Sequence, residues 1–168
     1  THAKKSFADV RDEMQQIARE CQTLKDQLKV AIDADTEAFN DVIAALRLPK
    51  STQEQRTTRD SAIQQGYQKA TEVPLETARH CLAALGLCRQ VAEKGLPASI
   101  TDAGVGALLA RAGVLGAIDN VRINLGSISD SRWVAEIRSQ LDSLVEKCET
   151  LEIETRALVA RAIDAPDE

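Results

Sequence analysis

Aromatic side chains are scarce. Phe7, Phe39, Tyr67 and Trp133 make up 2% of the 168 residues, so a core has to come from Leu, Val, Ile and Ala, which suits packed helices. Four prolines and eight glycines are too few for the many turns of an all-β chain. Cys21, Cys81, Cys88 and Cys148 are widely spread, with no C-x-x-C pair and no Cys/His cluster, which argues against a zinc site or any other metal. Free cysteines acting as small core residues fit a reducing compartment, and a cytoplasmic location is expected. Neither a signal peptide nor an uninterrupted apolar run long enough to span a bilayer stands out, so no membrane partner is expected. The net charge of −5 is spread among interspersed charges and offers no basic footprint for nucleic acid. A chain of this length reads as one domain over 1–168 that buries roughly 70% of its unfolded surface and needs no disulfide staples. It opens on Thr1 rather than Met and is read as a processed or truncated piece.

The most informative stretch is Thr101 to Leu125, TDAGVGALLARAGVLGAIDNVRINL, apolar almost all round and studded with glycines. A helix apolar on every side belongs in the middle of a protein or in a membrane. Arg111 and the closing polar group Asp119, Asn120, Arg122 and Asn124 argue against a span, where such side chains are expensive. The expectation is a buried central helix. Asn120 and Asn124 lie four apart and share a face. Buried polar groups need partners, so this group either fixes helix register or orients a polar ligand. Gly104, Gly106, Gly113 and Gly116 leave little bulk, and their reading is close helix packing rather than ligand contact.

Phe7, Val10, Met14, Ile17, Cys21, Leu24, Leu28 and Ala31 recur at alternating steps of three and four, the mark of a helix with a narrow apolar seam. The pattern runs on to Pro49 and, as one straight helix, would reach about 65 Å. A compact domain of this size has a radius of gyration of about 15 Å. Either the helix bends near Asp33 to Asp35, or the protein is elongated and pairs with a partner. Ser51 to Glu54 fits a capping box that opens a helix through Gln55 to Ala70. Pro74 then breaks or kinks it, or takes the first position of a new helix. Gly95 and Pro97 mark the next turn, Ser99 or Thr101 caps the central helix, and Asp102 in its first turn complements the dipole. Ser129 or Asp130 opens a last helix with Val134, Ile137, Leu141, Leu144, Cys148 and Leu151 on its seam. No strand alternation survives. The expected fold is all-α: a multi-helix bundle of about five helices with a buried central helix, in an elongated homodimer.

Four motifs in order carry a family resemblance: DADTEAFNDVIAALRLPK (Asp33 to Lys50), the following Arg59, ATEVPLETA (Ala70 to Ala78), and ITDAGVGALLARAGVLGAIDNVRINL. Together, from about Lys4 to about Lys147, they resemble the cyclodeaminase/cyclohydrolase family. That family includes the C-terminal domain of formiminotransferase-cyclodeaminases and stand-alone methenyltetrahydrofolate cyclohydrolases. Two departures stand out. The glycine- and alanine-rich first helix that usually opens the family is absent from this chain, and Gly95-Leu96 stands where the family often has Gly-Asn. The resemblance implies a helical bundle, usually dimeric, acting on one-carbon units carried by tetrahydrofolate, with no metal and no cofactor beyond that substrate. The first expectation is formimidoyltetrahydrofolate cyclodeaminase activity. The alternatives are a cyclohydrolase and, from another class, a non-catalytic helical dimerisation module.

Either reaction needs proton transfer around one carbon. A carboxylate suits the task if burial raises its pKa towards neutrality. With the resemblance, Asp35 and then Asp33 lead as catalytic candidates, against the plain reading of two solvated aspartates on a helix. Asp102 either serves the helix dipole or pairs with the pterin's N–H donors. Asn120, Arg122 and Asn124 either hold the substrate or form a structural network. Lys50 and Arg59 would grip the folate's glutamate tail, extended or not. His80, the lone internal histidine, reads as a packed or surface residue.

Overall fold

The computed structural model describes residues 10–164, which form four long helices and one 3-10 turn, with no strand among the described residues. Helix α1 spans Arg11–Leu46, α2 Gln53–Lys94, α3 Ile100–Leu125 and α4 Ser131–Asp164, and the 3-10 turn Pro97–Ser99 leads into α3. Helix α1 passes through Asp33 and Asp35 uninterrupted, and its 36 residues correspond to about 54 Å. The helix therefore has the length that the elongated alternative requires. The expected seam residue Phe7 lies outside the described residues.

Helix α2 is the hub, packing against each of the other three. It begins at a capping box one residue later than expected. The Thr52 hydroxyl accepts from the Gln55 N–H at 3.2 Å, and the Gln55 side chain accepts from the Thr52 and Ser51 N–H groups at 3.2 and 3.0 Å. Both Ser51/Glu54 and Thr52/Gln55 fit the pattern, and the extended backbone at Thr52 selects the second. Pro74 does not end this helix. It sits inside a single 42-residue element, which is why four helices stand where about five were expected.

Lys69 pairs with Asp41 at 2.6 Å and Lys94 with Glu13, tying α1 antiparallel to α2 at both ends. Gln64 on α2 clamps the α3–α4 turn, donating to the Ser127 carbonyl at 3.0 Å and accepting from the Ser129 N–H at 2.7 Å. Asp130 then caps α4 by accepting from the N–H groups of Arg132 and Trp133.

The core forms where α2, α3 and α4 meet, around Leu75, Ala78, Leu85, Val114, Ile118, Val121 and Leu141. The seam of α4 is covered by its own chain: Ile137, Leu141, Leu144 and Cys148 are buried. Val134 and Leu151, at the two ends of that seam, are only half-buried. On α1 only Ile17 of the seam is buried, and Cys21 is exposed.

Helix α3 also departs from expectation. It is buried on the side of Ala107, Val114, Ile118 and Val121, while Val105, Leu108, Leu109 and Ile123 are exposed. Only 22% of its most apolar stretch is buried, because among the described residues no helix covers one of its faces. By length and mean hydropathy, 1.3, the span Pro97–Leu125 would suffice to cross a membrane, which the reading of the sequence had denied. Here its covered face belongs to the bundle core.

Candidate functional site

Three of the sequence motifs converge on one groove. Asp35 comes from α1, Pro74 and Thr77 from α2, and Ala112, Gly113, Gly116, Ala117 and Asn120 from α3. Leu28, Ala31 and Ile32 of α1 complete an apolar wall around a volume of about 380 Å³. That size and character, apolar with a few oriented polar groups, suit a small organic ligand. The meeting follows from helix periodicity. Residues 28, 31, 32 and 35 share one face of α1, and 112, 113, 116, 117 and 120 share one face of α3. Asn120 donates from Nδ2 to the Gly116 carbonyl at 3.1 Å, which holds the amide along the groove wall. Asp35 is exposed, so the burial expected of a proton shuttle is not supplied by this chain alone.

The other sequence candidates are dispersed. Asp33 is two residues from Asp35 and therefore about 200° around the helix, so the two carboxylates do not act at one point. Asp102 stands exposed in the first turn of α3, separated from Asn120 by about 27 Å of helix at 1.5 Å per residue. Arg122 pairs with Asp119 at 3.3 Å and lines a separate groove with Leu125, Arg138, Leu141 and Asp142, between α3 and α4.

Asn124 has a structural task. Its Nδ2 donates to the Ala70 carbonyl at 2.7 Å, so the network reading applies to it. Arg59 donates from Nε and Nη2 to the carbonyl of Leu46, the last residue of α1, at 3.3 and 3.2 Å. A cation on those final carbonyls caps the helix and complements its dipole. Lys50 is exposed in the same α1–α2 connection, its own carbonyl accepting from Arg56 at 3.2 Å.

Two groove residues escaped the sequence reading. Thr77 lies one turn beyond Pro74 and donates to the Val73 carbonyl at 3.1 Å. Gly116 was grouped with the packing glycines, yet a Cβ built on it meets nothing within 4 Å. The other three glycines do pack: a Cβ at Gly113 would lie 2.7 Å from Cys81 Sγ, at Gly106 3.0 Å from Cys88 Sγ, and at Gly104 3.2 Å from Val159. Among the described residues, no group of three or more His, Cys, Asp or Glu side chains is arranged to hold a metal ion.

A larger groove of about 640 Å³ runs along the other flank of α1, with Val30, Ala34, Val73, Glu72, Glu76 and His80 in its walls. It draws nothing from α3, the most distinctive motif. The Asp35–Asn120 groove draws on three motifs at once and is the stronger candidate.

A family model described as formiminotransferase-cyclodeaminase matches residues 1–143. The methenyltetrahydrofolate cyclohydrolase of Methylorubrum extorquens is 35% identical over 151 residues, 90% of this chain and 73% of that protein. The formimidoyltransferase-cyclodeaminase of Gallus gallus is 33% identical over 147 residues, 88% of this chain but 27% of that much longer one. Among solved structures, the formiminotetrahydrofolate cyclodeaminase of Thermotoga maritima superposes with a TM-score of 0.82 at 22% identity, covering 92% of this chain and 73% of that one, which is a likeness of fold. With a match over most of its length, the chain belongs to the formiminotransferase-cyclodeaminase family.

Proposed function

We propose that this protein is a tetrahydrofolate one-carbon enzyme, a cyclodeaminase, whose site is the Asp35–Asn120 groove. The observation that carries the reading is the convergence of Asp35, Pro74, Thr77, Gly116 and Asn120 from three motifs on one groove. Its apolar walls suit the pterin and aminobenzoyl rings, and Asn120 is set to hydrogen-bond a polar ring edge. In cyclodeamination, N10 of 5-formimino-tetrahydrofolate attacks the carbon of the formimino group, which enters protonated as an amidinium. The Asp35 carboxylate takes the N10 proton and delivers it to the departing nitrogen. Ammonia leaves and the 5,10-methenyl bridge remains. The chemistry calls for no metal and no cofactor beyond the substrate, and a cytoplasmic setting suits it.

A homodimer is part of this reading. Val105, Leu108 and Leu109 are exposed side by side on α3, and most of the α1 seam is only half-buried. A second copy seated over these faces would shield Asp35 from water and strengthen every polar contact in the groove. Sedimentation giving a monomer at micromolar concentration would remove this element.

A second reading keeps the groove and changes the reaction. The relative at 35% identity is named a cyclohydrolase, and this chain spans 73% of it. Water would then add to the 5,10-methenyl carbon, with Asp35 accepting its proton and passing it to N5 as the carbon–N5 bond breaks to leave 10-formyl-tetrahydrofolate. Ammonia release from 5-formimino-tetrahydrofolate is the deciding assay, with turnover of 5,10-methenyl-tetrahydrofolate alone supporting the second reading. No folate binding at all would favour the non-catalytic dimerisation module.

A further inference from the structure

We infer that Gly116 sets the shape of the folate groove: its missing side chain leaves the α3 backbone bare so that the pterin's flat pyrimidinone ring lies against it. The inference rests on the folate reading of the groove and extends it to a residue that chemistry alone would not single out. A glycine in a helix interior lowers helix stability relative to alanine, because it has more backbone freedom to lose. Gly104, Gly106 and Gly113 recover that loss by letting Val159, Cys88 and Cys81 approach. Gly116 recovers nothing of the kind, since a Cβ there would enter open space. That open space is the groove, shared with Asp35 and Asn120.

The Asn120 amide folds back onto the Gly116 carbonyl at 3.1 Å, so the polar group stands one turn above the bare patch on the same face. A flat ring against Gly116 would have its edge at Asn120 and its reacting end towards Asp35 across the groove. A methyl group at 116 would lift the ring off the backbone, and a misplacement of about 1 Å in a reacting centre costs on the order of 10²-fold in rate.

The test uses 5-formyl-tetrahydrofolate as a stable ligand and p-aminobenzoyl-glutamate as the fragment without a pterin. Gly116→Ala is expected to raise Tm by about 2–4 °C and to weaken 5-formyl-tetrahydrofolate about tenfold, with Gly116→Leu weakening it about a hundredfold. Fragment affinity is expected to stay within about twofold for Gly116→Ala. Gly86→Ala is the control: a Cβ there also meets nothing within 4 Å, and it lies outside the groove, so it should raise Tm and leave binding unchanged. Wild-type binding that survives both Gly116 substitutions overturns the inference alone. So does equal weakening of the fragment, or a fall in Tm for Gly116→Ala. A wild type that binds no folate overturns the functional reading and the inference with it.

Discussion

Asn124 donates from its side-chain nitrogen to the backbone carbonyl of Ala70 at 2.7 Å, and Ala70 is the residue four before Pro74. In an α-helix that carbonyl accepts from the N–H of residue 74, which proline lacks. The α3 asparagine therefore supplies the hydrogen bond that the α2 proline removes. A break worth about 3 kcal/mol in an isolated helix is offset by a neighbour, and α2 continues for 42 residues.

Removing the donor should expose the debt. Asn124→Ala is expected to destabilise the protein by about 1 kcal/mol, the cost of an unmade bond to a partly buried carbonyl. In a Pro74→Ala background the backbone N–H returns, and the same substitution should cost less than half as much. Urea unfolding of the double-mutant cycle measures the coupling, and additive effects would rule this account out.

The four glycines of α3 should respond with opposite signs. A methyl at Gly113 would lie 2.7 Å from Cys81 Sγ, so Gly113→Ala should destabilise by about 1–3 kcal/mol. Cys81→Ala removes the sulfur and leaves its Cβ at 3.4 Å from the added methyl. The double variant is therefore expected to lose less stability than the sum of the singles. Thermal melts of the four proteins decide the matter.

Catalysis should divide the two aspartates. Asp35→Asn is expected to lower kcat by roughly 10²–10⁴-fold with little change in KM, as for loss of a proton shuttle. Asp33 points about 200° away around the helix, so Asp33→Asn should stay near wild type. Asn120→Ala should mainly raise KM. His80→Gln tests the rival groove and should leave turnover intact. Full activity in Asp35→Asn, or its loss in His80→Gln, would move the site to the other flank of α1.

Alkaline pH should weaken the fold from one direction. Burial pushes the Cys81, Cys88 and Cys148 thiols above the ordinary 9.0. The folded chain keeps protons that the unfolded chain releases there, so this contribution is whole below about pH 9 and is lost as pH rises further. Lys69 and Lys94 act in the same direction. Their hydrogen bonds to Asp41 and Glu13 raise them above 10.5, and that support fades at still higher pH. Tm should be level through neutral pH and decline beyond about 9, with a shallower decline in Cys88→Ala. A Tm that climbs above pH 9 would contradict the assignment.

The helical class was legible in the residues themselves. Steps of three and four along α1 and α4, the absence of alternation, and the capping pattern near Ser51–Gln55 are signals that act within one turn of backbone and need no neighbour. The family motifs were equally legible, and with them Asp35 and Asn120. What the residues alone left open depends on which surface passes which. Pro74 looks like a helix end until Asn124 arrives from another helix. The hydrogen bonds of Asn124 and Arg59 to the carbonyls of Ala70 and Leu46 likewise depend on segments far apart in the chain or across a turn. Gly113 and Gly116 are alike in sequence and three residues apart on one helix. Both border the groove, but a Cβ at Gly113 would strike Cys81 while one at Gly116 would enter open space, and only the packing of α1 and α2 around α3 decides which is structural and which is open.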